Sequence, residues 1–275
     1  MIRIVIAAAT AYATLAGGVY LFQRFLLYRP ENRLPSPGQS GVGDMKPVPL
    51  QTEDGLTLKA WYKAPEPAQS SIVYFHGNAG NIAMRAAKAR LFLDKGFGLL
   101  LVEYRGFGGN PGRPSEDGLF SDGRAARAFL LKEGVSPSQT VLYGESLGSG
   151  VAVRMAYEMA KEGPASALVL EAPFSSIAAL AAHHYPYLPA RFLIKDRFDN
   201  RSLIGHVKTR LLVVHGENDR TTPVSFAREL FEAAVFPKRA YWLAGAGHGD
   251  LYENGAGEIV LKFLNDEDQV AGGGP

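Results

Sequence analysis

One pentapeptide restricts the fold of this chain more than any other feature. Thr140 to Tyr143 is a short β-branched and apolar run, Gly144-Glu145-Ser146-Leu147-Gly148 follows it directly, and a helical stretch opens at Leu147. A strand that turns sharply into a helix around a serine is the strand–turn–helix context of a nucleophile elbow. The glycines have a steric reason: a serine on so sharp a turn is strained and crowds the residues two positions either side, where glycine has no Cβ to clash. The turn lifts the Ser146 hydroxyl above the sheet. The Leu147 amide, at a helix N-terminus, then points at charge developing beside it. The bland alternative is a glycine-rich turn with an incidental serine.

The rest of the chain fits that frame. Leu56 to Tyr62 alternates apolar and polar residues like a half-buried strand. Ser71 to Phe75, Leu99 to Val102, Ala167 to Leu170 and Leu211 to Val214 are short apolar runs of the kind buried on both faces of a parallel sheet. Helical stretches are expected near 80–94, 115–133, 147–161 and 225–235, then a last strand near Ala240 to Leu243 and a last helix near 250–264. Alternating strands and helices predict an α/β fold with a mostly parallel central sheet flanked by helices.

A serine hydroxyl is a weak nucleophile at neutral pH and needs a base oriented by a third group. Of six histidines, His248 sits in Gly245-Ala246-Gly247-His248-Gly249, a loop between the last strand and the last helix, and is the expected base. His76 and His215, at strand ends, read as structural; His183, His184 and His206 fall in or near the segment between two core strands. In folds built on such an elbow the acid lies between serine and histidine in chain order. Asp219, in His215-Gly216-Glu217-Asn218-Asp219, is preferred over Glu217 and Glu171 by position. The loop Phe75-His76-Gly77-Asn78-Ala79-Gly80-Asn81 offers the Asn78 amide as a second donor for an oxyanion. Its glycines would also suit a phosphate, but no lysine follows in P-loop spacing. Arg105, in Glu103-Tyr104-Arg105-Gly106-Phe107-Gly108, reads as a structural contact.

The N-terminus obeys a different pattern. Ile4 to Phe22 carries no charge and is bracketed by Arg3 and Arg24, close to the ~20 residues a spanning helix needs. Residues 1–29 are therefore read as a single-pass membrane anchor, with Tyr20, Phe22, Phe25 and Tyr28 as interfacial aromatics. A cleaved secretion signal ending near Ala11-Tyr12-Ala13 and a buried soluble helix are the alternatives. Ala9, Ala13, Gly17 and Thr10, Thr14, Gly18 are small residues four apart, a spacing that would let two such helices pair in a homodimer. Arg24, Arg29 and Arg33 after the segment lean toward a cytoplasmic catalytic domain, but the short leading tail leaves the side open. Residues 30–45, with repeated proline and glycine, read as a linker; 46–265 as the catalytic domain; 266–275, acidic and then glycine-rich, as a disordered tail. With 275 residues, a net charge of +2 and no dense basic block, nucleic acid is excluded as a partner. The absence of cysteine excludes disulfides and thiolate chemistry. Residues 174–209 form the expected short cap. Its Tyr185, Tyr187 and Leu188 are candidate substrate contacts, and Pro186, Pro189, Phe192 and Phe198 either line the same pocket or pack the cap.

Together these motifs resemble, in order, the membrane-anchored subgroup of α/β-hydrolase-domain proteins, whose relatives include protein depalmitoylases and lysophospholipid or monoacylglycerol hydrolases. The resemblance spans roughly residues 45 to 265. It implies the α/β-hydrolase fold, a triad of Ser146, Asp219 and His248, an oxyanion hole from the Asn78 and Leu147 amides, and no metal or organic cofactor. The expected chemistry is hydrolysis of a carboxylic ester or thioester, of an acyl or lipid-like small molecule, through an acyl-enzyme. A serine peptidase of the same fold and a non-catalytic membrane-tethered relative are the alternatives.

Overall fold

Eight strands form one sheet in the computed structural model, which describes residues 1–235 and 237–265. The expected disordered tail, 266–275, lies outside the described residues. In chain order the strands are β1 (Arg29–Pro30), β2 (Lys46–Gln51), β3 (Thr57–Lys63), β4 (Ser71–Phe75), β5 (Ala79–Gly80), β6 (Gly98–Val102), β7 (Thr140–Glu145), β8 (Ala167–Glu171), β9 (Leu211–Gly216) and β10 (Lys238–Leu243). The main sheet runs β10-β9-β8-β7-β4-β6-β3-β2, and β1 pairs separately with β5. From β6 to β10 all neighbours are parallel; β3 is antiparallel to both β6 and β2. Strand β2 was not expected from the sequence, because Pro47 and Pro49 argue against a strand. It forms because it is the outermost strand, where a proline's missing N–H leaves no ladder bond unmade.

The parallel strands bury both faces, and their side chains alternate between two cores. Val73 and Phe75 of β4 face one core, with Leu119 of helix α3 (Glu116–Lys132), Val151 and Met155 of α4 (Gly148–Met159), and Leu230 of α8 (Val224–Ala233). Ile72 and Tyr74 face the other, with Phe92 of α2 (Ala86–Leu93) and Val260 and Phe263 of α9 (Ala256–Leu264). Burying one such Leu, Val or Phe is worth about 1.5–3 kcal/mol, so this double layer supplies the main driving force. The expected helix near 80–94 is shorter than its apolar pattern, since residues 82–85 form a tighter 3-10 turn before α2.

Topology fixes where a ligand goes. From β4 the chain crosses to β6, then returns past β4 to β7, so the order reverses between β4 and β7. Such a switch point leaves a crevice outside the C-terminal ends of the two strands. The loop beginning at His76 and the turn at Ser146 leave from those two ends.

Between β8 and β9 lie α5 (Ile177–His184), α6 (Ala190–Leu193) and α7 (Asn200–Ile204), the cap. Helix α1 (Ile2–Leu27) is 26 residues long, about 39 Å at 1.5 Å per residue. It is long and apolar enough to cross a membrane, and it is exposed from Ile2 to Leu15. Its C-terminal part rests on the cap. Gln23, buried, donates to the Leu193 carbonyl (3.1 Å) and accepts from the Lys195 amide (2.6 Å). Arg24 makes two 2.8 Å bonds to Asp196, and the Lys195 ammonium lies 4.1 Å from the centre of the Tyr20 ring.

Candidate active site

Ser146 has φ +50°, the left-handed strain expected of the turn between β7 and α4. The flanking glycines are sterically required. A Cβ on Gly148 would stand 2.0 Å from the Phe75 carbonyl oxygen, and one on Gly144 2.6 Å from Ser149 Cα. The turn is tied to β8 by the Ser146 amide, which donates to the Glu171 carbonyl at 2.8 Å.

The residues expected as base and acid converge on this serine from two adjacent loops. His248 Nε2 is 3.0 Å from Ser146 Oγ, and His248 Nδ1 is 2.6 Å from Asp219 Oδ2. An imidazole that donates from Nδ1 to a carboxylate presents an unprotonated Nε2 to the hydroxyl, the arrangement a general base needs. The loops sit side by side because β9 and β10 are paired, and the Asn218 amide donates to the Ala246 carbonyl at 2.9 Å. Asp219 is almost fully buried. Burial opposes its ionisation, but hydrogen bonds from His215 and His248, the His248 charge and the Thr222 amide outweigh it and hold the carboxyl well below the usual carboxylate range. Its other oxygen accepts from the Thr221 and Thr222 amides, both at 2.8 Å.

Asn78 lies just past the end of β4 and Leu147 caps α4. Among the described residues, neither backbone N–H donates to a protein acceptor. The Asn78 side chain donates to the Leu27 carbonyl at the end of α1 (2.8 Å), and its carbonyl accepts from the Arg29 amide (2.8 Å). The exit of α1 is thus fastened to the loop beside the serine.

A buried polar cluster lies beside the elbow. Glu145 takes a bidentate pair from Arg85 (2.7 and 3.1 Å) and a bond from the Tyr74 hydroxyl (2.6 Å). Arg85 also donates to the Ala79 carbonyl (3.1 Å), so one guanidinium joins the elbow to the loop carrying Asn78. Burial raises the cost of the Glu145 charge, but Arg85 and Lys88 more than offset it and keep its carboxyl below the usual range. Glu171, at the end of β8, is held by Lys88 and by the Tyr143 hydroxyl (2.7 Å).

Tyr185, Tyr187 and Leu188 all line a cleft of about 480 Å³ that reaches Asn78 and Thr221. Of the six histidines, only His248 is bonded to Ser146 among the described residues. His76 is fully buried, 3.2 Å from Glu103; His184 bonds the Thr221 carbonyl (2.9 Å); His206 packs near Tyr157. His215 does more than the structural role read for it, since it lies 3.3 Å from Asp219 Oδ2 and touches the same carboxylate as His248. Arg105 is structural, paired with Asp54 and Asp122. Sequence reasoning missed the Thr221 and Thr222 amides and the Arg85 clamp. A backbone amide has no side-chain signature, and Arg85 lies 60 residues from its partner. It also missed that the wall of the cleft includes Leu15, Val19 and Leu26 of α1.

Comparison with known proteins agrees with this architecture. A family model described as serine aminopeptidase, S33 matches residues 66–197. The uncharacterized protein Rv2307c of Mycobacterium tuberculosis is 40% identical over 246 residues, 86% of each chain. The human protein ABHD12B is 37% identical over 67% of this chain and 60% of its own length. The lysophosphatidylserine lipase ABHD12 of Danio rerio is 29% identical over 74% of this chain and 63% of its own. Among solved structures, the Pyrococcus furiosus esterase Pf2001 superposes with a TM-score of 0.69 at 17% identity, covering 87% of this chain and 97% of that one. An α/β hydrolase of Vibrio vulnificus gives 0.69 at 21% identity over 91% and 92%. The chain belongs to the α/β-hydrolase family of serine hydrolases.

Proposed function

We propose that the protein hydrolyses acyl esters of lipid-like molecules through a triad of Ser146, His248 and Asp219, held at a membrane by α1. The observation that carries this reading is the unbroken line from Asp219 Oδ2 through His248 to Ser146 Oγ, at 2.6 and 3.0 Å. In the first step His248 Nε2 takes the Ser146 proton while Oγ attacks the acyl carbon. Asp219 holds the ring and stabilises the imidazolium that forms. The carbonyl oxygen becomes an oxyanion facing the amides of Asn78 and Leu147, neither of which donates to a protein acceptor among the described residues. His248 then protonates the leaving alcohol or thiol, an acyl-enzyme remains on Ser146, and water activated by the same imidazole releases the acid.

The second reading is a peptidase, favoured by the description of the family model. An aminopeptidase must receive a free ammonium, which calls for a carboxylate near the scissile bond. Among the described residues lining the cleft there is no Asp or Glu, and most are Leu, Ile, Val, Ala or Tyr. That lining favours an acyl group, and the lipase activity named for the Danio rerio relative supports the same choice. The deciding experiment is Ser146→Ala, assayed by fluorophosphonate labelling and by hydrolysis of p-nitrophenyl esters and aminoacyl anilides. Loss of labelling and of ester hydrolysis is expected; full activity in the variant would sink the assignment, and wild-type preference for the anilides would select the peptidase.

A further inference from the structure

A helix that served only as a tether would need no polar contacts with the domain beyond the chain itself, and α1 makes several. Gln23 is bonded to the cap in both directions, Arg24 is paired with Asp196, and the Leu27 carbonyl is held by Asn78. A glutamine on an apolar helix is costly unless its amide is satisfied, and here the cap satisfies it. These contacts fix the C-terminal part of α1 in register against α6, the segment just after it and the Asn78 loop. Between α1 and the cap lies the cleft of about 480 Å³, within the usual range of small-molecule sites.

We propose that α1 is a structural wall of the acyl-chain site, and that the chain of the substrate enters sideways from the leaflet in which α1 is embedded. This rests on the hydrolase reading of Ser146. Leu15, Val19 and Leu26 supply one side of the cleft, and Ile177, Leu188 and Leu193 of the cap the other. The lining also includes Asn78, the candidate oxyanion donor, and Thr221, whose amide donates to Asp219. From Leu27 to Leu15 is twelve residues, about 18 Å of helix, which suits a long-chain acyl group and far exceeds an acetyl. The uncharged run ends at Phe22, so Leu15 lies about 10 Å inside it, within the hydrocarbon of a bilayer that α1 crosses. The outer part of the cleft therefore opens onto lipid tails.

The cap surface beside α1 agrees with that placement. Tyr185, Tyr187 and Phe192 are 50%, 61% and 87% exposed, an unusual grouping of aromatics on one short segment. Arg191, Lys195 and Arg197 are exposed among them. Aromatic rings with interspersed basic groups are the side chains that settle at a membrane interface. The Tyr12 hydroxyl, far up α1, donates to the Tyr187 carbonyl (2.9 Å), so helix and cap approach one another well into the proposed leaflet. The occupant is one acyl chain lying along α1 with its carbonyl at Ser146.

The test uses the full chain in phosphatidylcholine vesicles and a long-chain alkyl fluorophosphonate carrying a diazirine near the chain terminus. The probe phosphonylates the nucleophile with loss of fluoride, and irradiation then links its tail to whatever lies beside it. Peptide mapping is expected to place the tail on residues 15–27 or on 177–194 of the same chain. Phosphonylated Ser146 with the tail linked elsewhere, or to a second copy, overturns the inference and leaves the hydrolase reading standing. No phosphonylation of Ser146 overturns both. In parallel, Val19→Trp should fill the cleft and lower the ratio of kcat/KM for a palmitoyl over an acetyl ester at least tenfold. A ratio within twofold of wild type contradicts the assignment.

Discussion

Gly148→Ala is the sharpest probe of how the elbow is built. The added methyl would stand 2.0 Å from the Phe75 carbonyl oxygen, 2.5 Å from its carbon and 2.8 Å from the His76 oxygen. These are backbone atoms at the end of β4, so no side chain can swing away. Contacts of a Cβ below 3.0 Å are essentially unknown, and α4 and the end of β4 must part by about 1 Å. That motion separates Ser146 and Leu147 from the loop bearing Asn78. Overpacking of this kind costs about 1–3 kcal/mol, or several degrees in Tm for a domain of this size. A 1 Å misplacement of reacting groups can cost on the order of 100-fold in rate. The expected result is a Tm lowered by a few degrees and kcat for p-nitrophenyl butyrate down about 100-fold, with KM changed much less. Gly38→Ala, where the new methyl meets nothing within 4 Å, serves as the control. A Gly148→Ala protein with kcat within threefold of wild type and an unchanged Tm would refute the steric argument.

Four further predictions concern other parts of the molecule. Arg85→Met strips the Glu145 charge of its bidentate partner and should destabilise the fold by about 3 kcal/mol; Arg85→Met/Glu145→Gln should recover more than half of that loss in urea denaturation, and no recovery would mean the pair is uncoupled. Asp219→Asn should lower kcat by up to about 10,000-fold while Ser146 stays in place. Because the Asp219 carboxyl is held below its ordinary value of about 3.9, its charge stabilises the fold above that pH and the benefit fades as pH falls further. The stability gap between wild type and Asp219→Asn should therefore shrink as pH is lowered from about 5 to about 3, and a gap that widens would contradict the hydrogen-bonded geometry. Finally, the full chain should stay with membranes through alkaline carbonate extraction, and release into the supernatant would rule out an inserted α1.

The order of elements and the chemistry of the elbow were written locally. Short apolar runs, the glycines at 144 and 148, and a histidine in a glycine-rich loop each report on neighbours a few residues away, where periodicity and steric exclusion act. Ser146, His248 and Asp219 each carry such a signal in the sequence, and the fold brings them within hydrogen-bonding distance. Strand β2 escaped because its prolines are tolerable only at a sheet edge, and whether a strand is an edge depends on the order of the whole sheet.

Other features exist only in the folded molecule. Arg85 and Glu145 meet across 60 residues, and Gln23 meets Lys195 across 172. Residues so far apart carry no shared pattern in a single sequence, since what unites them is the crossover topology that stacks their elements. The uncharged run of α1 was legible as a candidate membrane segment from length and composition alone. That residues from Leu15 to Leu27 line the cleft reaching Asn78 and Thr221 follows only from the docking of α1 on the cap, because the polar contacts that set its register come from residues about 170 positions away.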